Sequence, residues 1–129
     1  MPDFHQNGVI ATLHNFNTKS IEEIEKELLS FSKISPMTLI LPSLYSELEK
    51  PALTYIVNTL KKVKYIKNIV IGLDQASKQE FNKAKKFFSI LPQNTYILWN
   101  DGPKLKKIHQ ELSKMNLSPI EKGKGRNIW

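Results

Sequence analysis

The sequence predicts an α/β fold, a three-layer sandwich in which a mainly parallel sheet lies between helices. Three observations carry this. Segments of extended and helical pattern alternate along the chain, separated by prolines and polar turns. The extended segments are near-continuous apolar runs, the pattern of parallel strands buried on both faces. The helical segments open on capping signatures or a proline, and each carries one apolar stripe to lay against a sheet.

In chain order, residues 8–13 (Gly-Val-Ile-Ala-Thr-Leu) form a short extended candidate. Ser20 and Glu23 have capping-box spacing, and Ile21, Ile24, Leu28 and Phe31 then share one helical face, expected to point inward. Pro36 closes the link, and residues 38–41 read as a buried strand. Ser46 and Glu49 repeat the capping spacing, Pro51 suits a first helical turn, and Leu48, Ala52, Ile56 and Leu60 mark the expected inward stripe. Residues 66–71 form the next strand. Ser77 and Glu80 cap a helix that carries Phe81, Ala84 and Phe88 inward. After Pro92, residues 95–99 are strand-like, and Pro103 opens a helix with Leu105, Ile108, Leu112 and Met115 on one face. Residues 116–125 read as polar loop. The chain therefore divides into an N-terminal extension with the first helix, 1–36, and a βαβαβα core with a basic loop, 37–129. Right-handed crossovers place the loops after Leu41, Ile71 and Trp99 on one sheet edge, where ligands of open parallel sheets bind.

Composition narrows the chemistry. With 129 residues, 40% hydrophobic and 24% charged, the chain is globular rather than disordered. The absence of cysteine excludes disulfides, thiolate metal sites and thiol nucleophiles. No apolar run approaches the roughly 18 residues of a membrane helix, and the first residues are neither basic nor hydrophobic. A cytoplasmic protein is expected. Net charge is +7, unevenly spread: residues 1–50 hold four basic and seven acidic side chains, whereas 51–129 hold fifteen and five. The C-terminal part suits an anion, whether nucleic acid, membrane surface or phosphorylated small molecule, or else a solvated face without a partner.

Gly123-Lys124-Gly125-Arg126 is the strongest local signal, because glycines let backbone amides approach a phosphate while Lys124 and Arg126 supply charge. It lacks the spacer and hydroxyl of a Walker loop, and a basic surface turn is the alternative. Asp74, ending the second strand, can accept from a base or ribose hydroxyl or serve as a turn residue. Glu47 can bind a sugar hydroxyl or complement a helix dipole. Asp101-Gly102 before Pro103 reads chiefly as a strand-to-helix turn. His5, His14 and His109 are too scattered for a metal site, and no residue is nominated for acid-base chemistry. The lysines of residues 61–67 have only Tyr65 beside them as an aromatic, so nucleic acid is not favoured.

Two of these segments carry a resemblance. Leu41-Pro42-Ser43-Leu44-Tyr45-Ser46-Glu47 resembles the Leu-Pro-Ala-Leu-Asn-Glu-Glu segment of the GT-A nucleotide-sugar glycosyltransferases, whose fold is Rossmann-like. Gly123-Lys124-Gly125-Arg126-Asn127-Ile128-Trp129 resembles the Gly-Lys-Gly-Glu-Ala-Leu-Trp segment of the retaining glucosyl-3-phosphoglycerate synthases. Leu41, Pro42, Leu44, Glu47, Gly123, Lys124, Gly125 and Trp129 match outright, and the resemblance covers about residues 37–129.

The resemblance implies a donor site. Leu41, Pro42, Ser43 and Glu47 would lie along the base and ribose of a nucleoside-diphosphate sugar, Asp74 near the base, and Gly123, Lys124, Gly125 and Arg126 against the diphosphate. Tyr45 and Ser46 depart from the family's Asn and Glu, which leaves the ribose contact on Glu47; Arg126 and Asn127 replace Glu and Ala at the phosphate end. The family's Asp-x-Asp motif, which holds Mg or Mn on the diphosphate, has no counterpart in the sequence. The expectation is thus the donor-binding half of a larger hexosyltransferase acting on a small, phosphorylated or unphosphorylated acceptor, truncated at its C-terminus and inactive alone. A cut sheet would expose an apolar edge and favour association into homo-oligomers. The other readings are a noncatalytic α/β module binding a nucleotide or phosphorylated ligand, and a basic RNA-associated protein.

Overall fold

The computed structural model describes residues 19–117. Along them run α1 (Ile21–Ile34), β1 (Met37–Leu44), a 3-10 helix (Tyr45–Glu49), α2 (Pro51–Leu60), β2 (Ile66–Asp74), α3 (Lys78–Phe88), β3 (Asn94–Trp99) and α4 (Pro103–Lys114). The strands form one parallel sheet in the order β1-β2-β3. The fold is therefore α/β, as the alternation requires. The extended candidate at 8–13 and the loop from 118 onward lie outside the described residues.

Register explains the core. Leu39 and Leu41 pair with Ile69 and Ile71, which pair with Thr95 and Ile97, so alternate residues of all three strands share one face. On central β2, Ile69, Ile71 and Leu73 are fully buried. Helix α2 closes that face with Leu53, Val57 and Leu60, and α3 with Ala84 and Phe88. The opposite face is largely open, with Ile40, Tyr96 and Leu98 about half exposed.

Three expectations shift. Both first strands run three residues further than 38–41 and 66–71, because Pro42, Ser43 and Leu44 continue the ladder against Gly72, Leu73 and Asp74. Proline is tolerable there because among the described strands β1 lies at the edge, where a missing N–H need not break a ladder bond. The capping box expected at Ser46 and Glu49 does not form: residues 45–49 wind a separate 3-10 helix, Lys50 is extended, and α2 starts at Pro51 without a side-chain cap. That interruption decouples Leu48 from the helical phase of α2. Leu48 still packs on the core, but Leu53 and Val57 face inward in place of Ala52 and Ile56. Finally, the stripe of α1 is not buried: Ile21 and Phe31 are exposed, and neither α1 nor α4 contributes a buried residue. An amphipathic period states that a face is apolar, not that a partner covers it.

The capping boxes at Ser20–Glu23 and Ser77–Glu80 form as read, with both reciprocal bonds present in each. One tie was not legible. The Gln93 carboxamide donates to the carbonyls of Leu60 and Val63, both at 2.8 Å, where α2 ends; the Leu60 carbonyl also accepts from the Val63 N–H at 3.1 Å. Among the described residues no helix is long and apolar enough to cross a membrane.

Candidate functional site

The carboxyl ends of the three strands form one rim. Leu44 stands opposite Asp74, Leu73 opposite Trp99, and beyond the last pair the Asn100 N–H donates to the Leu73 carbonyl at 3.0 Å. β2 is thus held on both sides as far as Leu73. The chain then turns sharply. Asp74 is fully buried and its Oδ1 accepts from the Gln75 N–H at 2.8 Å. Gln75 is exposed and left-handed, with φ of 56°, a conformation costly for a residue with a Cβ. Ala76 is buried again, its N–H donating to Asp101 Oδ2 at 3.1 Å and its carbonyl accepting from the Trp99 indole N–H at 2.7 Å.

Two further contacts fix Trp99. Its ring stacks on Phe81 of α3 with centroids 4.8 Å apart and planes 10° from parallel. Gly102 approaches so closely that a Cβ there would lie 2.8 Å from Trp99 Cε3 and 2.9 Å from the Trp99 carbonyl oxygen. A glycine is required at this point for space. Beside the turn, Ser77 and Glu80 open α3: the Ser77 N–H donates to Glu80 Oε2 at 2.7 Å and Ser77 Oγ accepts from the Glu80 N–H at 3.3 Å. The Ser77 backbone hydrogen bond, and then its side chain, hold the Glu80 carboxyl below the ordinary value of 4.5.

The structure brings five of the sequence-derived site residues to this rim. Leu41, Pro42 and Ser43 end β1 beside Ile71, Gly72 and Leu73, and Asp74 ends β2. Glu47 follows in the 3-10 helix, its Oε1 2.7 Å from Lys50 Nζ. Ser43 is buried and its Oγ donates to the Leu44 carbonyl at 3.2 Å. Gly123, Lys124, Gly125 and Arg126 lie outside the described residues. Among the described residues no group of three or more His, Asp or Glu side chains could hold a metal ion.

Sequence reasoning missed Gln75 and the tie from Asp101. Gln-Ala gives no left-handed signal, since glycine, asparagine and aspartate are the residues enriched there. The Asp101–Ala76 bond spans 25 positions, which no local pattern encodes.

Comparison with known proteins gives the rim a context. No family model and no solved structure matches the chain. Two curated relatives do. A glucosyl-3-phosphoglycerate synthase from Persephonella marina is 45% identical over 129 residues, all of this chain and 32% of the relative. One from Methanococcoides burtonii is 30% identical over 128 residues, 98% of this chain and 31% of the relative. The chain is therefore homologous, across essentially its whole length, to a stretch of the glucosyl-3-phosphoglycerate synthases that amounts to about a third of theirs.

Proposed function

We propose that this chain supplies the nucleotide-sugar-binding part of a GT-A hexosyltransferase, taking a nucleoside-diphosphate glucose for transfer to a small phosphorylated acceptor such as 3-phosphoglycerate. The observation that carries the reading is the 45% identity to a synthase of that name, maintained across the whole chain. The rim adds physical support, because the carboxyl ends of parallel strands are where such sheets take ligands. In this reading Leu41, Pro42, Ser43 and Glu47 line the nucleoside side, with Asp74 shaping the turn beneath it. Gly123, Lys124, Gly125 and Arg126 meet the diphosphate, whose charge the basic C-terminal part complements. The Mg or Mn expected with the donor rests on the resemblance alone. A cytoplasmic location and association through the open apolar sheet face belong to the same reading.

Calorimetric titration with uridine and guanosine diphosphates, with and without manganese, tests it. Saturable binding that weakens at least about tenfold in Lys124→Ala is the expected result, the loss of one charge-assisted contact. Absence of saturable binding by the intact chain, with salt-steep binding to any RNA instead, overturns it.

A further inference from the structure

We infer that Asp101 is a positioning residue of the donor site, acting through the left-handed turn at Gln75; the inference rests on the donor-binding reading above. Three hydrogen bonds cross from the end of β3 to the end of β2: Asn100 N–H to Leu73 O, Trp99 Nε1–H to Ala76 O, and Ala76 N–H to Asp101 Oδ2. The first extends the ladder. The other two hold both polar groups of Ala76, a buried residue that must follow the strained one. A left-handed non-glycine residue persists only where its surroundings over-determine it, and such residues concentrate at ligand sites. Here the over-determination is visible on both flanks of Gln75, with the Asp74 carboxylate taking its N–H and Asp101 taking the next.

The result of that bracing is functional in form. Gln75 is the exposed residue between two buried ones, Asp74 and Ala76, at the strand-end rim. Its carboxamide carries both donors and an acceptor, a set suited to a nucleobase edge or a ribose hydroxyl. Asp101 sits at the start of the β3–α4 turn, on a different strand connection from Gln75. Its carboxylate therefore fixes the angle at which the Gln75 backbone leaves the sheet without itself being required at the ligand.

The test compares Asp101→Ala and Asp101→Asn in the full chain by native-state amide exchange and by calorimetric titration with uridine and guanosine diphosphates. Asparagine keeps an acceptor for the Ala76 N–H; alanine does not. Expected for Asp101→Ala are faster exchange at Ala76 with Ile71 in the core unchanged, and at least about tenfold weaker nucleotide binding. Asp101→Asn should stay within about threefold of the parent on both measures. Nucleotide affinity unchanged in Asp101→Ala overturns the inference, and so does faster exchange at Ile71 to the same degree as at Ala76, which marks a general loss of stability. Unchanged exchange at Ala76 overturns it as well, since the turn would then be held by other groups. Failure of the parent chain to bind either nucleotide removes the donor reading and this role with it, while the exchange data still report whether Asp101 braces the turn.

Discussion

Replacing Gly102 with alanine asks how rigid the strand-end rim is. The backbone there, φ −73° and ψ 155°, is open to alanine, so the unfolded chain's lost freedom would favour the variant by about 0.4–1 kcal/mol. The added Cβ, however, would sit 2.8 Å from Trp99 Cε3 and 2.9 Å from the Trp99 carbonyl oxygen. Carbon contacts settle at roughly 3.5–4.0 Å, so one side must move. Neither moves freely. The carbonyl accepts from the Gly102 N–H at 2.9 Å, and the indole is held by the Ala76 carbonyl and by its stack on Phe81. Overpacking against fixed neighbours costs about 1–3 kcal/mol, and the midpoints of the two ranges leave a net loss of about 1.3 kcal/mol. Urea denaturation followed by far-UV circular dichroism, a signal independent of the indole, reads that loss. Repeating the change with Trp99→Leu should shrink the cost, a coupling on the order of 0.5–3 kcal/mol, because the ring contact is then gone. A Gly102→Ala chain as stable as its parent, or a cost undiminished without the indole, refutes the reasoning.

Other consequences follow from single contacts. Gln93→Met removes two donors from the end of α2 and should cost about 1–2 kcal/mol in urea titration; Gln93→Glu should cost more, since a carboxylate faces the same carbonyls. Ser77→Ala deletes one bond of the α3 capping box and should lower stability by about 1 kcal/mol, read by thermal melting. The Glu80 carboxyl titrates below 4.5 in the folded chain, so its contribution is complete above that pH and is lost as pH falls through the lowered value. Melts of parent and Glu80→Gln should therefore differ at neutral pH and converge in acid; a gap that widens on acidification contradicts the assignment.

How much was legible depends on the distance over which each feature is encoded. The capping boxes at Ser20 and Ser77 were readable because both partners lie three residues apart on one turn. The strands were readable from apolar runs, and the convergence of Leu41, Pro42, Ser43 and Asp74 on one edge from crossover geometry. The start of α2 was not, because the extended Lys50 resets the helical phase and lets Leu53 and Val57, rather than Ala52 and Ile56, meet the sheet.

What the sequence determined by itself was the alternation of elements, the capping boxes of α1 and α3 and the sheet edge on which the strand-end loops gather, all consequences of short-range periodicity and chain chirality. The tertiary structure alone decided the ends of β1 and β2, the left-handed turn at Gln75 and the bracing of Ala76 by Asp101 and Trp99. The physical reason is that those features are made by hydrogen bonds and ring contacts between residues brought together only when neighbouring strands pair, and a strained backbone survives only once such partners are in place.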